Sequence, residues 1–449
     1  MKRVLLLCLI VLMAACPVFV VYGTDARLMA MGNCRLVVED EVTRISLYRY
    51  CGNPAGLVLD EKGHEVGLKY NYSASIAPGG SDTHTVHSAC PLYATLAWDR
   101  IALNLTVPLN FDYRVFNNEL NTSKDYTAAL QYSHLIIPSL SAGIYGSYTL
   151  RSANANTSVY ATDLNYGAGI GYLADLSSGK IGIGGTFGPA TPRITAGYPT
   201  GEILPVLGTP AAEQSTVSSV TTDYYTRVHG VYSFEDLVYA GAKFTIISPS
   251  GTRQTLRQGA GSETELANTG GGENEYEIRL LYRYRDIDFL PLNFGFSYGR
   301  RSNSYVIASQ GTTVNTPSLN SSGVGVGAAY HTERLIAAAE IHASNSTQVY
   351  SGILTTSSGT VFNAGGEFCV IPEVALRGGY SLAGTAVKTG STTVNSSDST
   401  ISAGLGVRSG VFEGSLLFSV SCHNPDTAQT NSAIVTTTTA GLEARLLFN

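Results

Sequence analysis

From His64 to the C-terminus the chain is dominated by a two-residue alternation, and no feature limits its possible folds more. In HEVGLKYNYSASI (64–76), Val66, Leu68, Tyr70, Tyr72, Ala74 and Ile76 share one face, and Glu65, Gly67, Lys69, Asn71, Ser73 and Ser75 the other. EYEIRLLYRYR (275–285) sets Tyr276, Ile278, Leu280, Tyr282 and Tyr284 against Glu275, Glu277, Arg279, Arg283 and Arg285. Tyr160, Leu164, Tyr166, Ile170 and Tyr172 likewise oppose Asp163, Asn165, Gly167, Gly169 and Gly171. Side chains alternate across a strand, so a period of two means a strand with one apolar face. Beyond the N-terminus no segment offers the ~20 consecutive apolar residues of a membrane helix.

Alternation alone also suits a soluble sandwich, and the connections discriminate. Short turns are expected at 97–102, 136–141, 174–180, 233–237, 285–291, 331–335, 370–374 and 408–412. Between them, long Ser/Thr/Asn/Gly-rich loops are expected around 77–89, 188–220, 248–273, 303–319, 384–398 and 421–433. Short turns at one rim and long loops at the other describe a transmembrane barrel, whose strands are apolar outward, polar inward and flanked by aromatic girdles. The reading is therefore all-β: an antiparallel transmembrane β-barrel over 64–449, of up to about eighteen strands by pattern. Charged residues are only 14% of the chain, with 48 Gly and 27 Tyr, which fits a lipid-facing wall. Net charge is −6 with no basic run, so no nucleic-acid partner is expected.

The N-terminus, MKRVLLLCLIVLMAACPVFVVYGTDA, has a positive start at Lys2 and Arg3 and an apolar stretch of signal-peptide length. Residues 1–23 are read as a signal peptide; a lipoprotein site at Cys16 is the alternative. Export leaves Cys34, Cys51, Cys90, Cys369 and Cys422, an odd number, with a Cys34–Cys51 bridge among the possible pairings. The chain ends on GLEARLLFN, with Leu442, Ala444, Leu446 and Phe448 on one face. An alternating last strand with an aromatic residue near the C-terminus, here the penultimate Phe448, looks like the signal read by the barrel assembly machinery. Outer membrane is the expected location, and outer-membrane lipid an expected partner.

Residues 24–63 do not alternate. They contain Ala26-Arg27-Leu28-Met29-Ala30-Met31-Gly32, the acidic pair Glu39-Asp40, Leu47-Tyr48 and then Asn53-Pro54-Ala55-Gly56-Leu57. This frame resembles the start of the FadL-type outer-membrane channels for long-chain fatty acids and other hydrophobic compounds, and of the related shuttle barrels of type IX secretion. Two departures stand out: Asn33 follows Gly32 where the family has a second glycine, and extra residues precede the Asn-Pro-Ala turn. The resemblance implies a fourteen-stranded barrel whose lumen is plugged by an N-terminal hatch built on Met31, Gly32, Asn53, Pro54, Ala55 and Gly56. Pro54 fixes one backbone angle, Gly56 is expected to supply the opposite sign, and the Asn53 side chain is expected to cap the turn. It further implies uptake of hydrophobic small molecules or fatty acids with lateral exit through a kinked third strand. The alternative is a protein-binding barrel of a secretion or surface-display system.

Pro108 stands in the middle of the third expected strand, where a proline deletes a ladder hydrogen bond; it is the candidate lateral exit. Ile203, Leu204, Val206 and Leu207 make an apolar loop segment suited to ligand capture. Arg279, Arg283 and Arg285 form a basic inner stripe suited to cross-strand pairing or to a carboxylate head group. His84, His87 and Cys90 have a metal-like spacing without a fourth ligand nearby, so no metal is expected. Gly167-Ala168-Gly169-Ile170-Gly171 mimics a dinucleotide fingerprint but lies in an alternating strand, where small lumen-facing residues explain it; no cofactor is expected. No Ser/His/acid set shares one inner face, so the chain is not read as an enzyme.

Overall fold

The computed structural model describes residues 23–448 apart from 39–45, 49, 61–63, 78–83, 89–90, 99, 109–111, 117–118, 156, 190–192, 199–214, 221–223, 236, 249–252, 259–261, 285–290, 310–311, 316–317, 351 and 426–434. The expected signal peptide up to residue 22, the acidic pair 39–40, the capture segment 203–207, Cys90 and Arg285 lie outside the described residues.

Alternation has produced one continuous antiparallel sheet closed on itself. Its strands are β1 (His64–Ala77), β2 (His84–Ser88 and Pro91–Trp98), β3 (Ile101–Pro108 and Asp112–Phe116), β4 (Glu119–Ile137), β5 (Leu140–Ala155) and β6 (Thr157–Leu176). They continue as β7 (Gly179–Pro189 and Arg193–Tyr198), β8 (Ser215–Val220 and Tyr224–Phe234), β9 (Val238–Ser248 and Arg253–Gln258), β10 (Ser262–Tyr284), β11 (Leu292–Ser309) and β12 (Thr312–Asn315 and Ser318–His331). The last six are β13 (Leu335–Tyr350), β14 (Ile353–Ile371), β15 (Val374–Thr389), β16 (Thr392–Ser409), β17 (Phe412–Pro425) and β18 (Val435–Phe448). Each pairs with the next. β18 returns to β1 in a register running from His64↔Phe448 to Ile76↔Thr436. Among the described residues the wall thus counts eighteen strands, as the pattern suggests and not the fourteen implied by resemblance. A barrel this wide is not filled by its own side chains.

Side chains sort as the alternation requires. Leu164, Tyr166, Ile170, Tyr172, Ile278, Leu280, Tyr282, Phe294 and Phe296 face outward and are exposed. Ser141, Thr186, His229, Asn293, Glu340, Asn363 and Glu367, on the opposite parity, face inward and are buried. An outer apolar surface of this extent is stable only in lipid, and the fold is a transmembrane β-barrel of outer-membrane type.

Short turns fall where expected, for example 138–139, 177–178, 372–373 and 410–411. The opposite rim differs from expectation. Much of 248–273, 303–319 and 384–398 is ladder: Arg253–Gln258 pairs with Ser262–Ala267, and β15 and β16 close at 390–391 with Gly390 at φ 60°. β10 alone runs 23 residues, about twice what a bilayer needs, so the wall rises into a polar collar. Threonine-rich segments alternate between two polar faces there, which removes the contrast that makes a membrane strand visible in sequence.

Candidate functional site: the lumen and its hatch

Inside the wall lie helix α1 (Gly23–Ala30), the turns that follow it to Val38, a second turn segment from Ser46, and helix α2 (Gly56–Asp60). They form two lobes on different arcs of the wall. In the first, Leu28, Met31, Cys34, Leu36, Val37 and Val38 pack against Ala329, Ile336 and Ala338. In the second, Leu47 and Cys51 pack against Val231. Cys34 and Cys51 are buried in separate lobes and neither is in a disulfide, so the bridge between them is not made. Burial pushes the Cys34 thiol up to about 12, helped by the nearby Glu340 carboxylate.

Inner-wall side chains satisfy the hatch backbone, which forms few ladders of its own. Glu340, fully enclosed, accepts the Leu36 N–H and the Val37 N–H (2.9 Å to the latter), and His342 Nε2 lies 3.1 Å from its other oxygen. Asn293 donates to the Val37 carbonyl at 3.2 Å, Ser402 to Ala30 at 3.2 Å, Ser141 to Ala55 at 2.6 Å and Arg227 to Cys51 at 3.2 Å. Arg279 donates to the Arg35 carbonyl, and the Asn363 amide reaches the backbone at Gly32–Asn33. Arg27 of α1 makes a two-pronged pair with Glu367, 2.9 Å on each arm, and Arg377 approaches the same carboxylate at 2.6 Å. The anchors run from β5 to β16. Unmet N–H and C=O groups in an enclosed segment cost about 1–3 kcal/mol each, so this set determines where the hatch can rest.

The Asn-Pro-Ala-Gly turn is the centre of the second lobe. Asn53 Oδ1 accepts the Ala55 N–H at 3.0 Å, the expected cap, and its Nδ2 reaches both the Ile170 carbonyl at 2.9 Å and His229 Nε2 at 3.0 Å. Pro54 and Ala55 are buried against β5 and β6. The left-handed angle expected at Gly56 belongs instead to Gly52, at φ 65°. Gly56 opens α2, and its own requirement is space: a Cβ there would meet the Tyr48 nitrogen at 2.5 Å. In the first lobe Gly32 and Asn33 both have positive φ, 70° and 68°. Asparagine tolerates that region best among residues with a side chain, so Asn33 can follow Gly32 through the bend.

The wall is cut to match. A Cβ on Gly143 would meet the Ala55 nitrogen and the Pro54 carbonyl carbon at 2.6 Å; one on Gly169 would meet Asn53 and Pro54. Gly365 and Gly379 leave the same clearance for Met31 and Gly32. The glycines of 167–171 are therefore small lumen-facing residues: Gly169 and Gly171 seat the hatch.

Above the hatch, toward the collar, inner side chains bond to one another. Tyr145 and Tyr225 share a hydrogen bond of 2.9 Å, Thr400 and Ser421 one of 2.8 Å, and Arg301 pairs with Glu273 at 2.6 Å. Below α1, at the short-turn rim, a charged cavity of about 520 Å³ is lined by Arg27, Glu367, Arg377, Arg408, Glu413 and Arg445.

Of the other expected site residues, Arg279 is engaged by the hatch, and Arg283 lies over the Tyr239 ring at 4.8 Å. His84 and His87 fall in β2. Pro108 ends the first segment of β3, and its register partner is another proline, Pro91, which opens the second segment of β2. Register slips at this level on three successive seams; between β2 and β3, from Pro91↔Pro108 to His87↔Tyr113, four steps match five. From Lys69↔Tyr93 to Ser73↔Ser88, four steps on β1 match five on β2. From Thr106↔Thr127 to Asp112↔Ser123, six steps on β3 match four on β4. Two facing prolines and surplus residues in both strands define a local irregularity of the bulge kind.

Sequence reasoning missed Glu340 and Glu367. Their signal was available: each is a lone acid at an inward position among Ala, Gly, Ser and Asn, in AAAEIHAS and NAGGEF.

No protein-family model matches the chain, and no curated protein matches it. Among solved structures it is similar to the Pseudomonas putida toluene transporter TodX, with 11% identity over 95% of this chain and 98% of that one and a TM-score of 0.36. It is similar also to the Ralstonia pickettii toluene transporter TbuX, at 13% identity, 95% and 98% coverage and TM-score 0.34. Acinetobacter baumannii OccAB2 matches at 9% identity, 88% and 100% coverage and TM-score 0.38. The barrel rests on this chain's own pairings.

Proposed function

We propose that the protein is a FadL-type, hatch-gated outer-membrane channel through which hydrophobic small molecules, long-chain fatty acids among them, enter and leave sideways through the wall. The observation that carries the reading is the Pro91↔Pro108 pair, with its slipped register, in β2 and β3. The hatch anchors come from β5 to β16, so the irregular strands lie outside the anchored arc. A ligand stopped by the hatch would have its route to lipid where ladder bonds are missing, and an apolar molecule gains by moving directly into the bilayer.

Replacing both prolines, Pro91→Val with Pro108→Val, tests the exit. Each change restores a backbone N–H and adds a strand-favouring side chain, so the barrel should gain about 1 kcal/mol per bond regained. Uptake of a fluorescent long-chain fatty acid into proteoliposomes should fall severalfold while conductance to small ions stays the same. Unchanged uptake in the double variant would remove the lateral exit. Absence of uptake by the unaltered protein would remove the hydrophobic substrate itself.

A further inference from the structure

The outward face carries very few charges. Among the described outward side chains of β4 to β18, the charged types are His134, Lys388 and Arg300, and Arg300 is the one arginine. Its setting is specific. Register places Ile278, Tyr298, Val324 and Ala343 in one outward row across β10 to β13, above the apolar rows Leu280, Phe296, Val326, Ile341 and Tyr282, Phe294, Ala328, Ala339. The next row toward the collar is Tyr276, Arg300, Ser322 and Asn345, followed by Ser302, Asn320 and Thr347. The wall thus changes from wholly apolar to polar within a single pleat. Tyr276 and Tyr298 mark the change, with rings 5.7 Å apart and hydroxyls at 3.3 Å, as aromatic residues do at a bilayer surface.

At this level the small residues leave a depression. A cleft of about 210 Å³ lies among Tyr298, Arg300, Asn320, Ser322, Asn345 and Thr347, with Ser321 and Ser346 between them. Register points the first six outward and the two serines inward, so most of the lining belongs to the outer surface of the wall. The outward chemistry is one guanidinium, two amides and two hydroxyls, beside a tyrosine, with no carboxylate in the lining. Buried in apolar lipid an unpaired arginine would be costly; at the headgroup level it is a donor fork for an oxyanion.

We propose that this cleft is a binding site for the phosphate of a membrane-lipid headgroup, with Arg300 as the charged donor, Ser322 and Asn345 as neutral donors, and the acyl chains lying on the Phe296–Val326–Ile341 row. This inference is independent of what passes through the lumen. Depth selects the ligand: a phosphate tethered to acyl chains is held at the height of Arg300, whereas free phosphate gains only the polar contacts.

The test is native mass spectrometry of the full-length barrel released from detergent after incubation with phosphatidylglycerol, with diacylglycerol of the same chains, or with inorganic phosphate. Phosphatidylglycerol should be retained and the other two not. Arg300→Gln should lower its retention about tenfold, the loss expected for one charge-assisted hydrogen bond, and Arg300→Lys should recover part of it. A heat-dependent gel shift checks that each variant has folded. Should Arg300→Gln not fold, Asn345→Asp serves instead: a carboxylate beside Arg300 should repel the phosphate and give the same loss. Equal retention of diacylglycerol, or phosphatidylglycerol binding unchanged in the folded variants, would overturn the site. An adduct with inorganic phosphate alone would replace the lipid with a free anion and equally overturn it.

Discussion

Glu340 shows at single-residue scale how the hatch is held. A carboxylate with no exposure to water is tolerated because two hatch N–H groups and His342 surround it. Glu340→Ala would leave both N–H groups without an acceptor, weakening the first lobe by about 1–3 kcal/mol for each; Glu340→Gln keeps an oxygen and should be milder. Cys34 supplies the readout. The thiolate is the reactive form, and a thiol pushed up to about 12 and enclosed by the hatch should resist maleimide at pH 8. In the Glu340→Ala protein Cys34, followed by peptide mapping apart from the half-buried Cys369 and Cys422, should label many times faster, and Cys34→Ser should abolish that increment. Equal labelling in both would mean that Glu340 does not hold the lobe closed.

At the scale of elements, the hatch and the wall are bonded in different ways. Each wall strand is paired on both sides by its neighbours, while the hatch is attached through side chains. Deleting residues 24–57 should therefore leave the barrel closed. Glu340, Glu367 and Arg279 would then face water, which solvates them where the hatch once paired them. Single-channel recordings should show larger conductance for small ions in the truncated protein. A truncated chain that fails to assemble would show instead that the segment acts in building the wall.

For the whole molecule, closure depends on the first and last strands meeting. The long β1–β18 register makes the C-terminus part of the seam, with Leu442, Ala444 and Leu446 on its outward face. The intact protein should run faster on gels before boiling than after, with strand-type circular dichroism. Removing residues 435–449 should abolish the gel shift, because it opens a full-length edge that the bilayer cannot satisfy. A shift that survives this truncation would require another closure of the ring.

What the sequence determined by itself is the wall. Alternation at Tyr276–Tyr284 and at Leu164–Tyr172 reports side-chain direction directly, because every second side chain of a strand points the same way whatever its neighbours are. Turn length by parity reports on the two rims, and the Asn53–Leu57 frame marked a compact segment ahead of the strands. Tertiary structure alone decided how that segment is used. Gly143, Gly169, Gly365 and Gly379 are read in the chain as small residues, and only the closed ring shows which hatch atoms occupy the space they leave. Glu340 and Glu367 are about 300 residues from their hatch partners, a pairing that local pattern cannot express. Cys34 and Cys51, close in sequence, are separated because each lobe follows its own arc of the wall. Pro108 is legible in the chain as a proline inside an expected strand, but only register sets Pro91 opposite it. Local propensity specifies direction along a strand; which strands and side chains meet across the lumen is decided by closure of the ring.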